Sequence, residues 1–170
     1  MVKSENFQAA FYEAECFLEV SKLIKAQTFS NKPLTSRKVA KRNTYLNFAQ
    51  YVNHAYAFEL YLKCLMIIEQ GVYYAGHNLS FLFEKLSPVT QTNIVTYYHS
   101  KYQHVRRDAT KSGGVAEPDF HELLEEAKNA FVEFRYLFEK KSVRPYVLAG
   151  IVESVRFEIL KLKPELENLW

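Results

Sequence analysis

The 170-residue sequence is poor in the residues that interrupt regular structure, since it contains only five glycines and five prolines. Folds made of many short β-strands need frequent turns, and turns are built largely from glycine, proline and asparagine. The sequence also lacks stretches in which apolar and polar residues alternate, which is the pattern of a half-buried strand. It therefore predicts an all-α protein.

Cysteine is equally scarce, and no long apolar run is present. Cys16 and Cys64 stand alone in apolar helical patterns, without Cys-x-x-Cys spacing, so we expect two buried thiols in a reducing compartment. The first residues lack the apolar run of a secretory signal, and no apolar stretch approaches the roughly 20 residues of a membrane span. We expect a cytoplasmic protein that does not insert into a membrane.

The sequence contains none of the short motifs that mark common catalytic or metal sites. No two of its five histidines are spaced i, i+4, and there is no His-Glu-x-x-His. The pair Gly113-Gly114 lacks the lysine of a phosphate-binding loop, and no Gly-x-Ser-x-Gly elbow occurs. His54 falls on the polar face of its predicted helix. We expect no metal ion and no cofactor.

Apolar residues recur instead at the spacing of helices, i, i+3, i+4 and i+7. Capping signals mark the helix ends: Gly71 as a C-terminal cap, Asn78 and Ser87-Pro88 as helix starts, and Asp119 with Glu122 as a capping box. We predict one domain over residues 1–170. Its helices cover 6–27, 37 or 44 to 70, a short helix from 79, a longer one from 88, 119–140 and 146–162.

The net charge of +3 is a mild basic excess, and part of it is clustered. Two basic groups stand out, and each is compatible with a solvated surface or with a phosphate-binding patch. The first group is Lys32, Arg37, Lys38, Lys41 and Arg42, and the second is Lys101, Arg106, Arg107 and Lys111.

Glu59 lies in the middle of the apolar stripe of the helix that ends at Gln70, and Lys63 follows at i+4, about 40° away around the helix. Charges on a core-facing stripe are costly unless they are paired and hydrogen-bonded. The pair is either structural, satisfied by neighbouring tyrosine hydroxyls, or part of a polar pocket or an interface.

Arg135 lies at the border of the apolar face of the predicted helix 119–140. An arginine in such a place usually lays its stem over the core and keeps its guanidinium in water. The guanidinium is also the side chain best suited to phosphate recognition. Both interpretations stay open.

Two segments together resemble the HEPN superfamily, the higher eukaryotes and prokaryotes nucleotide-binding domain. Its members show a helix with a Glu-x-x-x-Lys pattern, a loop, and Gly-His-Asp-Leu followed by paired leucines. Residues 133–140, EFRYLFEK, resemble the family's final core helix, where an arginine often precedes an aromatic residue. The counterparts in the stretch 55–86 are Glu59, Lys63, Gly76, His77, Asn78, Leu79, Leu82 and Leu86.

The resemblance implies an up-and-down bundle of four to five main helices plus a short helix, forming a homodimer. Many family members are metal-independent RNA endonucleases of toxin–antitoxin, CRISPR-linked and phage-defence systems, with a catalytic Arg-x(4–6)-His motif. Arg135 is the candidate for the catalytic arginine, but Lys140 and Lys141 stand where the histidine would be. Cleavage through the 2′-hydroxyl needs a group that moves protons near neutral pH, as histidine does.

Three hypotheses stay open, the first two of which follow from the resemblance. The first is a non-catalytic binding or assembly module of a prokaryotic defence or toxin–antitoxin-like system, with RNA, a nucleotide or a protein such as an antitoxin as partner. The second is a degenerate RNA endonuclease acting as a dimer, and the third is a helical protein-interaction module without a nucleic-acid role. The candidate ligand or interface residues are Glu59, Lys63, His77, Asn78, Arg106, Arg107 and Lys140. Asn78 and His77 also have a local interpretation, as a helix cap and a side chain packed beside it.

Overall fold

The computed structural model describes the backbone of residues 1–3, 5–29, 37–111, 119–130 and 148–169, and the side chains of 1–3, 5–28, 42–102, 119–130 and 148–168. Within these ranges the regular secondary structure is helical apart from two short strands, so the all-α prediction is confirmed. No helix in them is both long and apolar enough to cross a membrane. The helices are α1 (Phe7–Phe29), α2 (Arg37–Gln70), α3 (Leu79–Glu84), α4 (Pro88–Lys111), α5 (Phe120–Glu126) and α6 (Ala149–Leu162), followed by a 3₁₀ helix at Pro164–Leu169.

Local chemistry sets the helix ends where the sequence predicts them. The Asn78 side-chain oxygen accepts a hydrogen bond from the backbone N–H of Phe81 at 2.9 Å, which caps α3. Asp119 and Glu122 form the expected capping box at the start of α5. Gly71 ends α2 with a φ of 67°, and its N–H bonds to the Ile67 carbonyl at 2.9 Å. Each cap satisfies backbone groups that a helix end leaves unpaired.

The four long helices alternate in direction. Contacts between α1 and α2 pair Phe7 with Cys64 and Ser21 with His54, so rising numbers in one helix meet falling numbers in the other. The same inversion relates α1 to α6, where Glu15 meets Arg156 and Phe7 meets Lys163. It also relates α4 to α6, where Asn93 meets Glu158 and Tyr102 meets Glu153. Helices α1, α2, α4 and α6 therefore form the expected up-and-down bundle.

Helix α2 is the centre of the bundle and contacts α1, α6 and α3. Its second half is buried almost all round, because partners cover more than one of its faces. The shared core consists of large apolar side chains from all these elements. It includes Phe11, Phe58, Tyr61, Leu62, Leu65, Met66, Leu79, Ile94, Phe120, Ile151 and Ile159.

Two features of the backbone differ from the prediction. Strand β1 (Val2–Lys3) pairs antiparallel with β2 (Val72–Tyr73), and two residues are too few to show a periodic pattern. Helix α5 ends at Glu126 rather than continuing, and a turn follows at 127–129. The Lys128 carbonyl accepts a hydrogen bond from the Leu79 N–H at 2.8 Å, so a tertiary contact replaces a helical one. Residues 131–147 lie outside the described range.

Two side-chain predictions are wrong. Cys16 is exposed, because it lies on the outer row of α1 with Glu13 and Val20, at helical spacing. His54 is buried rather than on a polar surface, because α1 packs against that side of α2 and brings Ser21 to it. Cys64 is buried as predicted.

Candidate functional site

The connection between α2 and α3 turns the chain back toward α2. Gly71 ends the helix, β2 is held by its pairing with β1, and Asn78 fixes the start of α3. Gly76 has a φ of 144°, a conformation that is essentially restricted to glycine. This bend places His77, the residue between Gly76 and the cap, over the last turns of α2.

Glu59, Lys63 and His77 meet around one buried carboxylate, which is 1% exposed. Glu59 Oε1 accepts a hydrogen bond from Lys63 Nζ at 2.7 Å, and Oε2 bonds to His77 Nδ1 at 2.9 Å. Both carboxylate oxygens are therefore used, which offsets the cost of burying the charge. We call this arrangement the Glu59 cluster. The third partner, His77, is 18 residues away in sequence.

The two nitrogen-bearing side chains of the Glu59 cluster differ in exposure. The His77 side chain is half exposed and that of Lys63 is mostly buried. An imidazole carries two ring nitrogens, and the bond from Nδ1 to the Glu59 carboxylate fixes the orientation of the His77 ring. The Lys63 ammonium also lies 5.8 Å from the centre of the Tyr73 ring. The cluster therefore offers an ammonium and an imidazole side by side.

A cation and two aromatic rings lie close to this cluster in sequence, one ring in the α2–α3 loop, the other on α3 and the cation at its C-cap. The rings of Tyr74 and Phe81 meet edge to face at 5.6 Å, and the Lys85 ammonium lies 4.6 Å from the Phe81 ring centre. Phe81 is 40% exposed, which is high for a phenylalanine. We call the set Lys63, Tyr73, Tyr74, His77, Phe81 and Lys85 the α2–α3 surface. The two tyrosines in the loop and the i, i+4 spacing of Phe81 and Lys85 were the available sequence signals for it.

The remaining predicted site residues have mixed outcomes. Asn78 serves as the α3 cap, so its local interpretation accounts for the oxygen of its side chain. The backbone of Arg106 and Arg107 lies in α4, but their side chains are outside the described range. Arg135 and Lys140 lie outside the described residues altogether. Their part in any site stays a prediction. Over the residues that are described, no group of three or more histidine, cysteine or carboxylate side chains has the arrangement of a metal site.

A second polar cluster, which the sequence did not predict, joins α1, α2 and α6. Glu15 is 3% exposed, accepts a hydrogen bond from the Tyr61 hydroxyl, and is bound by Arg156 through Nε at 2.6 Å and Nη2 at 3.2 Å. Burial and the neighbouring Glu15 carboxylate raise the pKa of Tyr61 far above its usual value. Burial disfavours the charge of Arg156, but the hydrogen bonds and charge of Glu15 prevail and raise its pKa. The bidentate geometry is the one in which an arginine–carboxylate pair is strongest.

No protein-family model, curated protein or solved structure matches this chain. The resemblance of residues 55–86 and 133–140 to the HEPN superfamily remains a prediction that depends on those residues. The Glu59 cluster and the α2–α3 surface are the features of the described residues that bear on function.

Proposed function

We propose that this protein is a HEPN-like helical module that binds single-stranded RNA through the α2–α3 surface. The observation that carries the proposal is the Glu59 cluster, in which residues of the two halves of the motif, Glu59 with Lys63 and His77, meet at hydrogen-bonding distance. If the likeness to the family motif were due to chance, there would be no reason for Glu59 and His77 to lie in contact in the fold. The resemblance further suggests a homodimer in a prokaryotic defence or toxin–antitoxin-like system.

The chemistry of the α2–α3 surface supports a single strand as the ligand. Proteins that bind single-stranded nucleic acids combine cations along the backbone with aromatic rings on which bases stack. Here Lys85 supplies a partly exposed cation beside the Phe81 ring, which is itself partly exposed, and His77 presents a half-exposed imidazole. The charge of Lys63 is balanced by Glu59, so Lys85 and the ring of Phe81 are the side chains expected to contribute most.

Binding rather than cleavage is proposed because the Arg-x(4–6)-His motif is absent after Arg135. The buried carboxylate also has a structural task, since it holds the connection that precedes α3 against α2. A protein without the motif histidine, in which the connection before α3 is still held in place, would retain the α2–α3 surface for binding.

Fluorescence anisotropy with a labelled single-stranded RNA tests the proposal. Replacing Phe81 by Ala should weaken binding about 5- to 150-fold, the effect of losing about 1–3 kcal/mol of stacking with one base. The matched control is Phe157→Ala, because Phe157 is 45% exposed and stacks on Tyr97 away from this surface. Lys85→Gln should lower the dependence of log K on log salt by about 0.7 if one phosphate contact is lost.

Three results would contradict this proposal. Undetectable RNA binding, equal losses for Phe81→Ala and Phe157→Ala, or an affinity insensitive to salt would each exclude the α2–α3 surface as an RNA site. Undetectable binding would favour the third hypothesis, a protein-interaction module. A strict monomer in size-exclusion chromatography with light scattering would contradict the dimer.

One observation favours a second candidate, RNA cleavage. The 2.9 Å bond between Glu59 and His77 orients an imidazole whose ring is half exposed, as in a carboxylate–histidine pair that transfers protons. His77 would then supply the role that is missing after Arg135. Incubation of RNA with the wild type, His77→Gln and Arg135→Ala distinguishes the cases. Cleavage lost in both variants supports this candidate, and no cleavage, or equal cleavage by all three proteins, excludes it.

A further inference from the structure

A cavity of about 710 Å³ lies between α1, α2 and α6. On α2 it is lined by residues 47–54, whereas the Glu59 cluster begins at 59 and includes 63. Along the helix axis His54 lies about 7.5 Å from Glu59 and about 13 Å from Lys63, the first residue of the α2–α3 surface. The cavity is therefore separate from the α2–α3 surface. Its volume falls within the range of about 300–1,000 Å³ that is typical of small-molecule sites.

The walls of the cavity are mainly apolar, with one buried polar pair. Leu18 of α1 and Leu148 and Val152 at the start of α6 form the apolar part. Ser21 Oγ and His54 Nε2 lie 3.0 Å apart, and both side chains are buried. Burial, and secondly the charge of Lys25, lower the pKa of His54 to about 4, so this wall is uncharged at neutral pH. Ser21 is fully buried, which removes it from consideration as a nucleophile for an entering molecule.

Cations surround this apolar space. Lys22 and Lys25 line it from α1, and Arg156 lines it from α6. Arg156 binds Glu15 through Nε and Nη2, and a guanidinium has further N–H donors on Nη1. Lys25 forms no ion pair with any described residue, while Lys22 has an exposed pair with Glu19. The acidic side chain of the lining, Glu153, is engaged by Lys101 and by the Tyr102 hydroxyl.

Amide side chains on α2 add hydrogen-bonding groups between the cations and the apolar wall. Asn47 and Gln50 line the cavity three residues apart, on the side of α2 that also carries His54. Along α1 the lining extends from Leu18 to Lys25, a distance of about 10 Å. The cavity thus combines an elongated apolar floor with cations at both ends: Arg156, which binds Glu15, lies at the Leu18 end, and Lys22 and Lys25 lie toward the other.

We propose that this cavity binds an organic anion, a carboxylate or phosphate monoester whose head contacts Lys22 and Lys25. The apolar body of the ligand packs against Leu18, Leu148 and Val152. Apolar walls with a few convergent polar groups are the usual composition of such a site. The proposal is independent of RNA binding, because none of these residues belongs to the α2–α3 surface.

Isothermal titration calorimetry of the full chain with four probes tests the proposal. Octanoate supplies both the anion and the apolar body, octanol lacks the charge, inorganic phosphate lacks the body, and adenosine monophosphate offers a heteroaromatic body. Octanoate or adenosine monophosphate should bind at least about tenfold more tightly than octanol and phosphate, which corresponds to about 1.4 kcal/mol. Whichever of the two binds more tightly identifies the source of the anion.

Variants then locate the bound molecule. Lys22→Gln and Lys25→Gln should each weaken binding about three- to tenfold, and Ala149→Phe, at an exposed lining position, should place a ring in the cavity and weaken binding at least about tenfold. The matched control is Lys128→Gln, because Lys128, like Lys22, forms an exposed i, i+3 pair with a glutamate but is remote from the lining. Thermal melting verifies that each variant is folded.

Several outcomes would overturn the proposal. They are no binding of any probe at millimolar concentration, binding of octanol or phosphate as tight as that of the organic anions, and unchanged binding by folded Ala149→Phe. Equal losses in Lys22→Gln and Lys128→Gln would likewise show that the effect is one of net charge and not of this cavity.

Discussion

Protonation of His54 is the route by which we expect mild acid to destabilise this fold. The side chain is 8% exposed and its ring bonds to Ser21. Burial, then the charge of Lys25, lower its pKa from 6.5 to about 4. The charged and titratable groups that share its cavity are Lys22 and Lys25 on α1, Tyr51 on α2, and Glu153 and Arg156 on α6. Three of the four charged groups are positive, so a protonated His54 would add a fourth positive charge to this cavity.

The size of the effect follows from the two pKa values. The unfolded chain takes up the proton near pH 6.5 and the folded chain only near pH 4, so the stability contributed by neutral His54 is complete above 6.5 and declines as the pH falls toward 4. One pKa unit corresponds to about 1.36 kcal/mol, so between about pH 7 and pH 5 the loss is about 2 kcal/mol. That is a large share of a typical unfolding free energy of about 5–15 kcal/mol.

Urea unfolding at several pH values in this window measures the effect. The unfolding free energy of the wild type and of the exposed-histidine control His121→Gln should fall with decreasing pH at the same slope. At the acidic end this slope should be about 1.4 kcal/mol per pH unit steeper than that of His54→Asn. His54→Asn will be less stable throughout if the Ser21 hydroxyl is left without its partner, so the slope is compared rather than the absolute value. A slope for His54→Asn equal to that of the wild type would refute the reasoning.

Three further predictions concern other parts of the fold. Tyr61→Phe removes the hydroxyl that donates to buried Glu15 and should lower the unfolding free energy by about 1–3 kcal/mol, measured in urea. A thiol reagent should modify Cys16 alone in the native protein and both cysteines in denaturant, counted by mass spectrometry, because Cys64 is buried and burial raises its pKa to about 12; rapid double modification would contradict the structure. Gly76→Ala meets no atom within 4 Å but must adopt a φ of 144°, so it should cost about 1–3 kcal/mol; an unchanged urea midpoint would show that the turn relaxes freely.

Features governed by neighbouring residues were predictable from the sequence. The Asn78 cap, the Asp119–Glu122 box and the Gly71 terminus depend on side chains within three or four positions of the backbone groups they satisfy. The position of Glu59 on the apolar stripe, and its pairing with Lys63, also follow from helical geometry alone.

The partners supplied by distant segments were not predictable in the same way. A helical wheel shows which side of α2 carries His54, but it does not show that α1 covers that side and offers Ser21. The bond from His77 to Glu59 depends on the path of the whole α2–α3 connection. Helical spacing places Glu15 beside Phe11 and Leu18 on α1, but it does not show that Arg156 of α6, 141 positions away, binds it.

The pair formed by Glu15 and Arg156 has a consequence for the order in which the chain folds. Its members are 141 positions apart, so the contact that neutralises Glu15 forms only when the last long helix returns to the first. Helices α1 and α2 are synthesised early and pair locally, but their interface then holds a carboxylate whose counter-charge is still to be translated. A contact between residues so far apart in sequence raises the contact order, which slows folding. We therefore expect α6 to dock late in folding. In a nascent chain halted before residue 156, α1 and α2 would be paired, but the Glu15 carboxylate would lack its positively charged partner.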